Sequence, residues 1–198
     1  MDLPRRLGQL LVGLLLYGAS LALLVRAGLG TSPWDVLHQG LSRTVGLSIG
    51  TWVVLLGAVL LLVWVPLRQR PGIGTVLNVL LVGTALDATL ALLPAPSGWT
   101  PRVLLLLAGV GLNAVASATY IGAGLGPGPR DGLFLGVAAL GLPVRRVRTA
   151  IEVTVLLVGI ALGGTAGPGT LLYALAIGPL VQPLLPLLDL RRERVPAS

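Results

Sequence analysis

Six long apolar segments constrain the fold of this chain more than any other feature. Hydrophobic residues make up 55% of its 198 residues and charged residues only 11%, and the mean hydropathy is +0.93, which is far from the composition of a soluble domain. A membrane-spanning helix needs roughly 20 apolar residues. The predicted spans lie at 7–27, 48–66, 72–93, 103–122, 145–164 and 169–188. The sequence therefore predicts an all-α, polytopic membrane helix bundle with no soluble domain.

Two shorter segments, 33–44 and 129–140, each follow a long apolar segment. At about 1.5 Å per residue, a helix of this length extends about 18 Å, which is too short to cross a hydrocarbon core of about 30 Å comfortably. We expect two short helices that lie at the membrane interface or re-enter the membrane. If both crossed instead, the chain would have eight spans.

The basic residues are all arginines, and they lie mostly at the ends of the predicted spans. Cytoplasmic loops of membrane proteins carry an excess of Lys and Arg. With six spans, eleven arginines fall on the cytoplasmic side and three, Arg26, Arg43 and Arg102, on the other; with eight spans the division is ten to four. The bias favours six spans, and both counts place both termini in the cytoplasm. Membrane topology thus explains the net charge of +7, and no nucleic-acid partner is needed to account for it.

An internal repeat divides the chain into 1–98 and 99–198. The sequence "AGLGTSPWD" at 27–35 returns as "AGLGPGPRD" at 123–131, and further matches follow after a one-residue deletion. Three spans per half reverse the orientation of the second half, so the six-span count predicts inverted repeats. Many transporters are built in this way, with binding sites near the repeat interface. Four spans per half would make the repeats parallel.

Each copy of the repeated turn has the residues of a helix start. The matched positions are Gly28, Gly30, Pro33 and Asp35 in the first copy and Gly124, Gly126, Pro129 and Asp131 in the second. Glycine permits unusual backbone angles, and proline suits the first helical position. An acid in the first turn stabilises the helix dipole by about 0.3–1 kcal/mol without any ligand. Alternatively, the two acids face a water-filled cavity where they gate or coordinate a solute.

Charged and amide residues within the spans are the other candidates for a functional site, because burying a charge in lipid costs at least a few kcal/mol. The candidate residues of a solute or ion pathway are Asp35, Asp131, Glu152, Arg148, Asp87 and Asn113. For each of these residues, a structural role is the alternative to a role in the pathway. An ion pair joins residues four apart on a helix, as Arg148 and Glu152 are, while Asp87 lies either on an interior face or near the outer surface. For Asn113, an interhelical hydrogen bond is the usual reason for an amide in a span. Arg130 beside Asp131 could form a local ion pair.

The sequence gives little support for a metal site, a cofactor or an enzymatic activity. The chain has no cysteine and one histidine, His38, so we expect no metal site. The motifs of nucleotide-binding loops, zinc proteases and serine hydrolases do not occur. We expect neither a cofactor nor an enzymatic activity.

The paired turns "GLGTSPWDVL" and "GLGPGPRDGL", together with "GIGT" and "GPGT" downstream and the spacing from Arg148 to Glu152, resemble the YczE/YyaS/YitT group of bacterial integral membrane proteins. The resemblance covers nearly the whole chain. It implies a protein of the bacterial inner membrane, and it implies no catalytic or ligand-binding residues.

Two functions follow as hypotheses. The first is a small transporter that moves an unidentified small molecule or ion through the interface between inverted repeats, and it predicts a polar cavity there. The second is a non-transporting accessory or regulatory protein, which predicts a dry interface and a docking surface. The expected partners are the lipid bilayer, a small solute, and a second copy or another membrane protein. Arg191, Arg192 and Arg194 form a basic tail that is expected to contact anionic lipid.

Overall fold

The computed structural model describes residues 3–190, and in this part of the chain the only regular elements are helices, without strands. The basic tail predicted to contact lipid lies outside the described residues. The helices are α1 (Leu3–Ala27), α2 (Pro33–Val45), α3 (Ile49–Trp64), α4 (Ile73–Leu92), α5 (Trp99–Gly122), α6 (Pro129–Ala138), α7 (Val144–Ala161) and α8 (Pro168–Leu188). The all-α prediction is confirmed.

Helices α1, α4, α5 and α8 are each long and apolar enough to cross a membrane. Helix α3 has only 16 residues, and α7 carries four charged residues in its first half. Helices α2 and α3 form a bent pair, with an angle of 113° between them, that together has the length and hydropathy of one span. The chain is therefore a membrane protein with several spanning helices.

Helix α1 lies at the centre of the bundle and packs along α4 and α5. Its leucines form much of the core, and glycines allow the neighbouring helices to approach closely. A Cβ atom on Gly13 would lie 2.6 Å from the backbone nitrogen of Tyr120, and one on Gly18 would lie 2.5 Å from the carbonyl oxygen of Val82. Both positions therefore require glycine.

The first helices of the two halves, α1 and α5, run antiparallel. Near the start of α1, the Nε of Arg6 donates a hydrogen bond to the carbonyl oxygen of Ala123, just after α5, at 2.7 Å. Near the start of α5, the Nε of Arg102 donates to the carbonyl oxygen of Ala27, at the end of α1, at 2.8 Å. The two arginines are 96 residues apart, which is the offset of the repeat. Equivalent side chains thus make equivalent bonds to the opposite half.

The glycine-rich turns also bind the opposite half. The backbone nitrogen of Gly74, in α4, donates to the carbonyl oxygen of Leu125 at 2.9 Å, and that of Gly169, in α8, donates to Leu29 at 2.8 Å. In the same reciprocal way, α2 packs against α7 and α6 packs against α3. The two halves are therefore interlocked, with each turn held by a helix from the other half.

Local chemistry explains where α2 and α6 begin. Gly30 has a φ of +108° and Gly126 a φ of +132°, a region that residues with a side chain rarely adopt. Pro33 and Pro129 are the first residues of their helices. The hydroxyl of Ser32 accepts a hydrogen bond from the backbone nitrogen of Asp35 at 3.3 Å and so caps α2.

Candidate functional site

A cavity of about 440 Å³ lies between the two halves, and each of the eight described helices contributes to its wall. Its volume is within the range of pockets that bind small molecules, about 300–1,000 Å³. One part of the wall is aliphatic, formed by side chains such as Val53, Leu56 and Val82, while another part is polar and charged. Charged groups beside an apolar wall can hold a small amphipathic solute.

An ion pair between the two halves lies at the polar part of the wall. The Nη2 of Arg130, in the first turn of α6, is 3.6 Å from the Oδ1 of Asp35, in the first turn of α2. The side chain of Asp35 is fully buried, and that of Arg130 is 21% exposed. The repeated turns thus place the starts of the two short helices side by side.

Asp35 has two further partners, one in α2 and one at the residue that precedes this helix. The hydroxyl of Ser32 donates a hydrogen bond to its Oδ2, and the Nδ1 of His38 lies 3.3 Å from its Oδ1. Ser32 and His38 line the cavity, while Asp35 lies behind them. These contacts compensate the carboxylate in its buried position, as burial of a charge requires.

Both cavity arginines stack on aromatic rings. The guanidinium carbon of Arg130 is 5.3 Å from the centre of the Trp34 ring, and that of Arg148 is 5.6 Å from the centre of the Phe134 ring. Such contacts are favourable within about 6 Å. The Nε of Arg148 also donates a hydrogen bond to the Oε1 of Glu152 at 3.0 Å, so the predicted pair on α7 is present and lines the cavity.

Asp131 lines the cavity without an ion pair to the arginine beside it in the sequence. Its Oδ2 accepts a hydrogen bond of 3.4 Å from the hydroxyl of Tyr120, and no arginine or histidine nitrogen within residues 3–190 lies within 4.0 Å of its carboxylate. Arg130 pairs with Asp35 of the other half instead. Of the acids in the cavity wall, Asp131 therefore has the weakest compensation.

Asn113 connects three helices behind the cavity wall. Its Nδ2 donates to the hydroxyl of Ser20 in α1 at 2.8 Å, and its Oδ1 accepts from the hydroxyl of Tyr173 in α8 at 2.9 Å. Asn113 is fully buried. An amide that satisfies both of its functional groups in this way holds helices together.

Asp87 lies away from the cavity, at the start of α3. Its carboxylate accepts hydrogen bonds from the hydroxyl of Ser48 at 2.5 Å and from the backbone nitrogen of Gly50 at 2.8 Å. The bond from Gly50 satisfies a backbone donor that the first turn of a helix leaves free. The carboxylate thus joins the end of α4 to the start of α3.

The six candidate residues therefore occupy three different environments. Asp131, Arg148 and Glu152 line the cavity, Asp35 lies directly behind it, and Asn113 and Asp87 belong to helix contacts. Sequence reasoning missed Trp34 as a cavity residue. Its position is 96 residues before Arg130, and the two side chains stack on each other, as equivalent positions do when they lie near a two-fold axis. The offset of the repeat was the signal that could have identified this pair.

No group of three or more His, Cys, Asp or Glu side chains in the described part of the chain is arranged to hold a metal ion. The cavity combines acids, arginines and aromatic rings instead.

Comparison with known proteins identifies a family for this chain. A family of unknown function, DUF6198, matches residues 4–185. The chain belongs to this family. No solved structure matches the chain.

Three bacterial relatives cover most of the chain. It is 38% identical to an "Uncharacterized protein" of Haemophilus influenzae over 87% of this chain and 80% of the relative. It is 36% identical to the "Uncharacterized membrane protein YczE" of Bacillus subtilis over 87% and 81%, and 27% identical to the "Uncharacterized protein YyaS" of the same organism over 90% and 91%. The resemblance to YczE and YyaS drawn from the repeated turns is therefore confirmed.

Proposed function

We propose that this chain is a small transporter of the bacterial inner membrane and that its solute binds in the cavity between two inverted halves. The observation that carries the proposal is the cavity itself, whose wall combines residues of both halves and contains Arg130, Asp131, Arg148 and Glu152. Charged groups are costly within a membrane and are typical of solute and ion pathways.

The reciprocal contacts of the two halves support an inverted arrangement. Antiparallel packing of α1 and α5 is what equivalent helices adopt when the halves face opposite ways, and the exchanged bonds of Arg6 and Arg102 fit a two-fold axis between them. In this arrangement α1, α3, α4, α5, α7 and α8 span the membrane. Helices α2 and α6 re-enter from opposite faces, and their first turns meet at Asp35 and Arg130. Both termini are cytoplasmic, as the arginine distribution predicts.

Transport then requires that the halves open alternately to the two faces. The ion pair between Asp35 and Arg130 joins the halves near the cavity, so a rocking motion of one half against the other would stretch it. Broken helices at the repeat interface serve this role in other transporters. The accessory function predicts a dry interface, and the charged cavity favours transport over it.

Orientation can be tested with cysteines, because the natural chain has none. Leu47 and Leu142 occupy equivalent positions in the repeat, one residue after Gly46 and Gly141, and both are exposed. We expect Leu47→Cys to react with an impermeant thiol reagent from the periplasmic face only and Leu142→Cys from the cytoplasmic face only. Reaction of both from one face would mean parallel halves and would contradict the proposal.

Alternating access can be tested at Ser117, which lines the cavity. We expect Ser117→Cys to react with a small impermeant thiol reagent applied to either face of oriented membrane vesicles. Ser20→Cys is the matched control, since Ser20 is fully buried and lies outside the cavity wall, and it should not react. Reaction of Ser117→Cys from one face alone, or from neither, would favour the accessory function.

A further inference from the structure

The charged groups at the cavity do not balance. The imidazole of His38, which also lines the cavity, is neutral above its ordinary pKa of about 6.5. Five charged groups lie together in or directly behind the wall, and four of them form two ion pairs. Arg130 pairs with Asp35 at 3.6 Å, and Arg148 pairs with Glu152 at 3.0 Å. The fifth group, the carboxylate of Asp131, has no ion-pair partner among the described residues.

In the part of the chain that the structure describes, Asp131 has no direct cationic partner, and the charges of Arg148 and Arg130 act on it only from more than 4.0 Å away. The 3.4 Å hydrogen bond from the Tyr120 hydroxyl is long for a bond to a carboxylate, which is normally about 2.5–2.7 Å for a hydroxyl donor. Its other oxygen, Oδ1, accepts no hydrogen bond from the residues described. A carboxylate removed from bulk water is stabilised by a cation that contacts it directly. The cavity therefore has an acceptor for one positive charge.

The rest of the wall indicates what kind of cation fits. Aliphatic side chains, among them Val53, Leu56 and Val79, line the cavity together with the rings of Tyr120 and Phe134. An inorganic ion would need several oxygen ligands, and it would gain nothing from these apolar groups. An organic ammonium places its charge at a carboxylate and buries its hydrocarbon part, and aromatic faces also attract cations.

We propose that the cavity binds a small organic amine in its protonated form, with the ammonium group at Asp131 and the apolar part against the aliphatic and aromatic wall. This inference rests on the proposed transport function for its biological meaning, since it names the class of solute carried. Binding itself needs no transport, so the two proposals fail separately.

Isothermal titration calorimetry on the purified full chain in detergent tests the proposal with three ligands of similar size. They are 2-phenylethylammonium, the uncharged 2-phenylethanol and the anionic 3-phenylpropionate. We expect the amine to bind at least about tenfold more tightly than the alcohol, a difference of about 1.4 kcal/mol, and the anion to bind more weakly than the alcohol.

Substitutions then assign the effect to one carboxylate. Asp131→Asn should remove the preference for the amine and leave the affinity for the alcohol unchanged, whereas Asp131→Glu should keep the preference. Asp87→Asn is the matched control, because its carboxylate binds the start of α3 outside the cavity, and it should bind all three ligands as the unmodified chain does.

Four results would overturn the proposal. The first two are equal affinity for the amine and the alcohol, and tighter binding of the anion than of the alcohol. The other two are no binding of the amine by the unmodified chain, and a preference for the amine that survives Asp131→Asn. If the amine binds as expected while Ser117→Cys reacts from only one face, the site stands and the transport function does not.

Discussion

Arg130 and Asp35 form an ion pair, with 3.6 Å between Nη2 and Oδ1, across 95 positions of the sequence and between the two halves of the repeat. The guanidinium also stacks on Trp34, the residue that occupies the equivalent position to Arg130 in the first half. Both copies of the turn carry the acid, but they have diverged at the preceding position, which is Trp34 in the first copy and Arg130 in the second. The first copy contributes the buried acid and the ring, and the second contributes the cation.

Removing the arginine should destabilise the protein, because Asp35 would stay buried without its cation. Breaking a fully buried pair typically costs about 3–5 kcal/mol. Since the side chain of Arg130 is 21% exposed, we expect Arg130→Gln to cost less, about 2 kcal/mol, seen as a lower melting temperature in detergent.

The double variant Asp35→Asn/Arg130→Gln controls this prediction. It removes both charges, so we expect it to melt above the single variant Arg130→Gln. A double variant that loses as much as the two single variants added together would mean that the two residues do not interact energetically.

A second prediction concerns the close packing of α1 on α5. Gly13→Ala would bring a Cβ atom to 2.6 Å from the backbone nitrogen of Tyr120, so the helices must separate, at a cost of about 1–3 kcal/mol. Gly8→Ala is the control on the same helix, since a Cβ atom there would meet no other atom within 4 Å. We expect thermal unfolding to show a loss of stability for Gly13→Ala alone. Equal melting temperatures would contradict the close approach.

Trp64 anchors α6 from α3 and supports the wall of the cavity. Its Nε1 donates a hydrogen bond of 3.0 Å to the carbonyl oxygen of Pro129, and its side chain is 1% exposed. We expect Trp64→Phe to lower stability by about 1–3 kcal/mol, because a buried carbonyl loses its partner. Trp99→Phe, at a residue that is 71% exposed, should change the melting temperature little, and a similar loss in both variants would argue against the role of this bond.

Asn113 should matter for stability rather than for solute specificity. Asn113→Leu leaves the Tyr173 hydroxyl without its acceptor and removes the donor to Ser20, whose hydroxyl still donates to the carbonyl oxygen of Tyr17. An unsatisfied buried polar group costs about 1–3 kcal/mol. We expect a lower melting temperature and an unchanged ratio of amine to alcohol affinity in calorimetry. A changed ratio with unchanged stability would place Asn113 in the binding site instead.

The structural features that depend on residues close together in the sequence were predictable. Long apolar runs predict helices because a membrane leaves few other ways to satisfy the backbone, and the turns predict helix starts because capping by Ser32 and the position of Pro33 involve residues within one turn. The Arg148 and Glu152 pair follows from helical spacing in the same way. Family membership also follows from these local motifs.

Contacts between distant helices were not predictable from residue type. Asp35, Asp87 and Asp131 are all aspartates within or beside apolar segments, yet one pairs with an arginine of the other half, one holds the start of α3, and one lines a cavity. Nothing in the local sequence distinguishes these environments.

By itself, then, the sequence determined that this is a helical membrane protein with a repeated turn, since apolar length and helix-start chemistry act over a few residues. Only the tertiary structure decided that the two turns meet, that Arg130 binds Asp35 rather than Asp131, and that Asp131 is left facing the cavity. The reason is physical: an ion pair depends on which side chains the packing brings within about 4 Å of each other, and here that packing involves helices from both halves of the chain.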